Sequence, residues 1–249
     1  MAHCILRERN IRHRVRKAHF DIASGGGTCM TEHEVYALFE SLGMIIRNDH
    51  FIYSSGKHGS AYVNKNALYP HARETAKLCR ALARLFIMSD VDCVVGPEKG
   101  GIIISQWTGY HLSNSMMRHV PSIFAEKKQR IIINPRQVSL PPRVEDIFFF
   151  SEGYEKFVSG KHVLVVEDIL TTGGTAKKVV ELVREFEGIV VAVGALCNRG
   201  GVTDADVGDV PKLFSLLNFS LPSWDAQDCP WEDIPVNTQF GKGKEYHRP

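Results

Sequence analysis

The sequence predicts an α/β fold: a central, mostly parallel β-sheet with helices packed on both faces. Three observations carry this reading. From Val91 onward, short and continuously apolar runs alternate with amphipathic stretches. Strands that are apolar throughout are buried on both faces, the condition of a parallel sheet with crossover helices. Second, two of those runs end in glycine-bearing turns that open helices, Gly96-Pro97-Glu98-Lys99-Gly100-Gly101 and Thr171-Thr172-Gly173-Gly174. Third, 249 residues with 44% hydrophobic and 23% charged side chains are enough for a full core and exclude disordered, fibrous and membrane classes. The longest nearly apolar stretch, residues 188–197, has ten residues, short of the roughly 18 a membrane helix needs.

The elements follow in order. Thr31 with Glu34 three residues on is a capping box, and Val35, Leu38, Phe39 and Leu42 form one stripe of a helix within 31–47 that Gly43 ends. Residues 49–70 are aromatic and turn-rich and read as a hairpin of two short strands. Residues 72–88 form an amphipathic helix. Strands are expected at 91–95, 122–125, 162–166, 190–196 and 213–219, with helices at 100–111 and 174–186. Between 128 and 160 the pattern breaks. Pro135, Pro141, Pro142 and mixed charges mark a long loop of the kind that serves as a lid, with 147–150 as one strand inside it.

Charge is uneven. Residues 1–29 hold six bases (Arg7, Arg9, Arg12, Arg14, Arg16, Lys17) against Glu8 and Asp21, a net of +4, while the remainder carries 24 bases and 26 acids. The body therefore gives no reason to expect nucleic acid or membrane as a partner. The basic segment reads as a flexible leader outside the core, joined by Ser24-Gly25-Gly26-Gly27-Thr28. A basic arm for RNA or a membrane surface, or a transit peptide, are its other readings. The six cysteines are scattered without a C-x-x-C pair, which fits a reduced, cytoplasmic protein without a cysteine metal site.

The sharpest signal is Val163-Leu164-Val165-Val166-Glu167-Asp168-Ile169-Leu170-Thr171-Thr172-Gly173-Gly174-Thr175. An apolar strand ends in two carboxylates, and a Thr/Gly turn then opens a helix. Ligands bind at the carboxyl ends of strands in open α/β sheets. The backbone N–H groups of the turn and the Thr171, Thr172 and Thr175 hydroxyls make a phosphate cradle at a positive helix end. Carboxylates repel phosphate, so Glu167 and Asp168 suit the hydroxyls of a sugar or a Mg²⁺ ion that it carries. Together they imply a ribose 5-phosphate. Lys99, Gly100 and Gly101 form a second anion-type turn after residues 94–97.

Residues 163–175 resemble the PRPP-binding signature of the type I phosphoribosyltransferases, and the rest of the chain is similar to the orotate branch of that family. Phe51 to Asn64 resembles the hood segment, Phe124-Ala125-Glu126-Lys127 the start of the catalytic loop, residues 194–200 the strand ending in Arg-Gly, and 213–236 the C-terminal strand with a Cys-Pro segment. Ser54 stands where the family usually has Lys or Arg, and Cys229-Pro230-Trp231-Glu232 lacks the second cysteine of some members. The resemblance implies a single domain over 30–249, with core 72–200, hood 31–70 and 205–240, and lid 127–160. It implies that Lys99, Gly100 and Gly101 hold pyrophosphate and that Lys127, with Lys128 or Arg130, closes over it. Thr171–Thr175 would hold the 5-phosphate, Glu167 and Asp168 the ribose hydroxyls, and Lys127, Asp168 and Glu167 would be the catalytic residues. Arg199, with Phe51, Ser55 and Gly56, would contact the base. It further implies Mg²⁺ held mainly through PRPP, and a homodimer whose lid reaches the neighbouring subunit. A phosphoribosyltransferase for another base and a non-catalytic PRPP sensor are the alternatives.

Residues 1–29 have no apolar periodicity and end in a glycine linker. A chain begun at Met30 is expected to keep its thermal midpoint and activity; a loss of more than a few degrees would mean that the leader buries surface.

Overall fold

The computed structural model describes residues 30–53, 55–132 and 143–241. The leader 1–29, Ser54 and the middle of the expected lid, 133–142, lie outside the described residues. Helix α1 (Glu32–Ser41) begins on the capping box: Thr31 Oγ1 accepts from the Glu34 N–H, and the Glu34 carboxylate accepts from the Thr31 N–H at 2.7 Å. The hairpin follows as β1 (Ile45–Ile52) and β2 (His58–Val63). Then come α2 (Ala72–Arg84), β3 (Cys93–Pro97), α3 (Gly100–Met116), β4 (Ser122–Ile132), β5 (Arg143–Phe150), β6 (His162–Leu170), α4 (Gly174–Glu185), β7 (Ile189–Asn198), β8 (Leu213–Asn218) and β9 (Ser223–Trp224).

The main sheet has the order β5-β4-β3-β6-β7-β8, parallel except for β5. Side-chain alternation explains its two-sided burial. Leu164 and Val166 of β6 face one way, into a cluster with Leu82 of α2 and Ile104 and Leu112 of α3. Val163 and Val165 face the other way, against Ala176, Val179, Val180 and Val183 of α4. The strand order runs outward in opposite directions from β3 and β6, so a crevice opens between their carboxyl ends. A second, three-stranded sheet, β1-β2-β9, forms the hood. Phe51 stacks on Tyr62 and Tyr62 on Phe240, at centroid separations of 5.5 and 5.6 Å.

Two expectations are corrected. The hood is narrower than 31–70 and 205–240, because β8 is the sixth strand of the main sheet and α1 packs on that strand. The segment after Ala125 is not an irregular loop: β4 runs on to Ile132 and pairs with β5 in an antiparallel ribbon, from Ala125 opposite Phe150 to Ile132 opposite Arg143. Opposite charges on the two strands explain it. Arg130 lies directly across from Glu145 and bonds it at 3.2 Å, Lys127 reaches Asp146 at 2.7 Å, and the Lys128 ammonium sits 4.0 Å from the centre of the Phe149 ring.

Leu164 is fully buried in the middle strand pair. Leu164→Ala is expected to cost about 2–5 kcal/mol, read as a lower urea midpoint at unchanged m-value.

Candidate active site

The crevice at the β3/β6 switch is a cleft of about 340 Å³. Its floor is the end of β6 and its back wall the turn into α4: Glu167, Asp168 and residues 171–175 all line it. Lys65, Glu98, Lys127 and Phe148 close the sides. The turn is shaped by Gly173, whose φ of +77° is left-handed and whose pro-side-chain space is filled by Val202 and the Asp206 carbonyl. Only glycine fits there. The first N–H groups of α4 have no helical partners and belong to residues that line the cleft; that of Gly174 reaches Thr172 Oγ1 at 3.4 Å.

The two carboxylates are both buried, Glu167 6% and Asp168 1% exposed. Successive strand residues face opposite ways. Asp168 turns toward the start of α3, where the Lys65 ammonium lies 2.9 Å from Oδ2 and the Tyr69 hydroxyl donates to the same oxygen. Its Oδ1 accepts from the Ile169 N–H at 2.6 Å. A Cβ at position 100 would overlap both Asp168 Oδ2 and the Tyr69 hydroxyl, so Gly100 is what lets α3 come this close. Burial holds back the Lys65 ammonium, but the charges of Asp168 and Glu167 outweigh it and leave its pKa above the ordinary value. Burial, followed by the Asp168 charge, pushes the Tyr69 hydroxyl far above its ordinary range. Glu167 accepts from the Asp168 N–H at 3.0 Å. Burial first, and the Asp168 charge second, raise its pKa well above the usual carboxyl range.

Of the residues expected from the sequence, the cleft gathers Glu167, Asp168, Thr171, Thr172, Gly173, Gly174, Thr175 and Lys127. Lys127 comes from the β4 ribbon; its N–H donates to Glu98 at 3.0 Å and its ammonium rests on Asp146. Gly100 borders the cleft through its contact with Asp168. Lys99 is exposed beside it, and Gly101 packs on Pro97. Lys128 and Arg130 are not brought to the cleft, being held on the ribbon by Phe149 and Glu145. Arg199, just past β7, stacks 4.6 Å over the Tyr53 ring at the junction of hood and core. Ser55 and Gly56 are exposed on the turn that follows Tyr53. Phe51 is a correction: it is fully buried in the hood stack and presents no face to a base.

Lys65, Tyr69 and Glu98 were not singled out by the sequence. Lys65 and Tyr69 sit around the single helical turn 65–67 between hairpin and α2, where a polar connection gives no periodic signal. The lone available sign was Asp168 itself, since a buried carboxylate requires a cationic or hydroxyl partner.

A threonine- and glycine-rich turn at a helix start beside paired carboxylates, at the switch point of a parallel sheet, is the layout of a nucleotide- or sugar-phosphate-type α/β protein. The chain belongs to the phosphoribosyltransferase family: the family description "Phosphoribosyl transferase domain" matches residues 66–227. Its relatives are particular. It is 35% identical over 209 residues to the orotate phosphoribosyltransferase of Thermotoga maritima, covering 83% of this chain and 97% of that one. It is 32% identical over 210 residues to the orotate phosphoribosyltransferase of Pelotomaculum thermopropionicum, covering 83% and 96%. The fold is similar to that of Mycobacterium tuberculosis orotate phosphoribosyltransferase, with a TM-score of 0.53 at 24% identity over 74% of this chain and 95% of that chain.

A carboxyl group whose pKa is raised by folding contributes stability below its unfolded value, and that stability is lost as pH rises toward the folded value. Glu167 has an ordinary value near 4.5 and is raised. The thermal midpoint of Glu167→Gln relative to wild type is therefore expected to climb from acid toward neutral pH. A difference that does not vary with pH would mean that Glu167 titrates as an ordinary carboxyl.

Proposed function

We propose that the protein transfers the phosphoribosyl group of PRPP to orotate, giving orotidine 5′-monophosphate and pyrophosphate. The observation that carries this reading is the single cleft in which residues 171–175, the carboxylates of Glu167 and Asp168 and the ammonium of Lys127 converge. The identity to orotate phosphoribosyltransferases over most of the chain supports the choice of base.

The 5-phosphate lies on the Thr171–Thr175 turn, where N–H and hydroxyl donors meet the positive end of α4. Asp168 and Glu167 accept from the ribose hydroxyls. Lys65 and Tyr69 hold Asp168 in place before substrate arrives, so little reorganisation is needed on binding. Glu167 and Asp168, oxygen donors of the kind Mg²⁺ prefers, would help hold such an ion carried mainly by PRPP, and it would supply positive charge to the departing pyrophosphate. As the C1′–O bond breaks, negative charge grows on pyrophosphate. Lys127 meets it by leaving Asp146, and Lys99 with Gly100 and Gly101 flanks the same group from the β3 turn. Arg199, steadied by Tyr53, turns its two-pronged donor to the planar acidic base beside Ser55 and Gly56.

The ribbon is shared across a homodimer. The cross-strand pair Ile131 and Val144 leaves 63% and 55% of its surface in water, an apolar tip that a second copy covers. Among the described residues Cys79, Cys93, Cys197 and Cys229 are free and buried, which fits a reducing, cytoplasmic setting.

Loss of orotate absorbance with PRPP and Mg²⁺ tests the reaction. Pyrophosphate release with another base but not orotate would move the specificity, and none with any base would leave a PRPP sensor. Asp168→Asn is expected to lower turnover or weaken PRPP binding at least tenfold. Lys127→Ala should lower kcat by about 10²–10³ and change KM for PRPP less, because the lysine acts on charge that appears in the transition state. Mixed with Asp168→Asn, it should regain activity, one site per heterodimer receiving both an intact ribbon and an intact cleft. No recovery despite proven subunit exchange would place the ribbon over its own chain's cleft.

A further inference from the structure

The hood carries a second cluster of ligand-type side chains that the reaction does not use. His50 of β1, His58 of β2 and Cys229 of the C-terminal segment bring two imidazole nitrogens and a sulfur within 4.8 Å of one another. His50 is 3% and Cys229 4% exposed, while His58 is half-buried. His50 Nδ1 lies 2.7 Å from the Ile234 carbonyl oxygen. A carbonyl only accepts, so Nδ1 carries the proton and Nε2 presents its lone pair. Fixing one ring nitrogen on a backbone carbonyl is how proteins aim the other at a metal. Nε2 points between His58 Nδ1 at 2.7 Å and Cys229 Sγ at 3.6 Å.

We propose that His50, His58 and Cys229 form a site for one borderline-soft divalent ion of the Zn²⁺ type. Metal–nitrogen bonds of about 2.0–2.1 Å and a metal–sulfur bond of about 2.3 Å place tetrahedral nitrogen and sulfur ligands roughly 3.5 Å apart. The His50–Cys229 pair already has that spacing, at 3.6 Å. Two nitrogens on such an ion stand roughly 3.3 Å apart, so His58 must swing outward from its 2.7 Å hydrogen bond. Its half-buried position leaves room for that. Two neutral imidazoles and a thiolate suit zinc-like ions and not Mg²⁺ or Ca²⁺, which take oxygen. Binding releases the Cys229 thiol proton to solvent, and three protein ligands leave one position for water.

The ion would pin three segments together, two strands of the hairpin and the chain end that returns to it. That end is also attached by the Asn237 N–H on the His50 carbonyl at 2.7 Å, by the Asn237 side-chain amide on the Asp49 carboxylate and by Phe240 on Tyr62. The site is separate from the phosphate cleft and stands whether or not orotate is the substrate.

The test uses the full chain, free of any histidine tag and stripped with chelator. Zn²⁺ is titrated against a chromophoric chelator, and Co²⁺ is added in parallel. The expected result is uptake of one ion per chain, a tetrahedral Co²⁺ spectrum with a thiolate charge-transfer band, and a thermal midpoint that rises with Zn²⁺. Cys229→Ser should lose the charge-transfer band, and His58→Gln, altered at a half-buried position, should fold and lose the midpoint rise. Absence of stoichiometric uptake by wild type, or uptake by His58→Gln equal to wild type, would overturn the proposal and leave the three side chains as a hydrogen-bonded cluster.

Discussion

The carboxylate of Asp168, buried at the end of an apolar strand, is the constraint around which the site is built. An unpaired charge there would cost several kcal/mol. Its partners come from two places: Lys65 and Tyr69 from the connection ahead of α2, and the Ile169 N–H from its own strand. Gly100 is what brings the start of α3 against them. The same contacts that neutralise the charge therefore fix the relation of α2, α3 and β6, and with it the mouth of the cleft.

Glu167, next in the chain and on the opposite face, is treated differently. It has one backbone donor and sits in the field of Asp168. The pair is thus uneven: Asp168 has an ammonium and a hydroxyl as partners, while burial and the neighbouring charge push Glu167 toward its protonated form.

The ribbon places Lys127, which lines the cleft, on a regular element instead of a loose loop. Lys127 shares its ammonium with Asp146 and its backbone N–H with Glu98, so it waits at the edge of the cleft in a defined geometry. The hood is tied to the core by a similar economy of contacts, with Arg199 stacked on Tyr53 at the end of β7.

Hydrophobic periodicity and turn chemistry are local properties, so the sequence by itself determined the helices, the parallel strands and the glycine-bearing turn into α4, because Val163–Val166 and the Thr/Gly turn announce themselves within thirteen residues. It also marked Glu167 and Asp168, since two acids after an apolar strand demand an explanation. The ribbon was half legible: the bases at 127–130 and the acids at 145–146 are complementary, but only pairing shows that they face one another. Tertiary structure alone decided that Phe51 is core and not a base contact, that β8 belongs to the main sheet, and that Lys65 and Tyr69 serve Asp168 from about a hundred positions away. The physical reason is the same in each case. Contacts between residues far apart in the chain are set by packing and charge pairing in three dimensions, and neither leaves a periodic trace in the sequence.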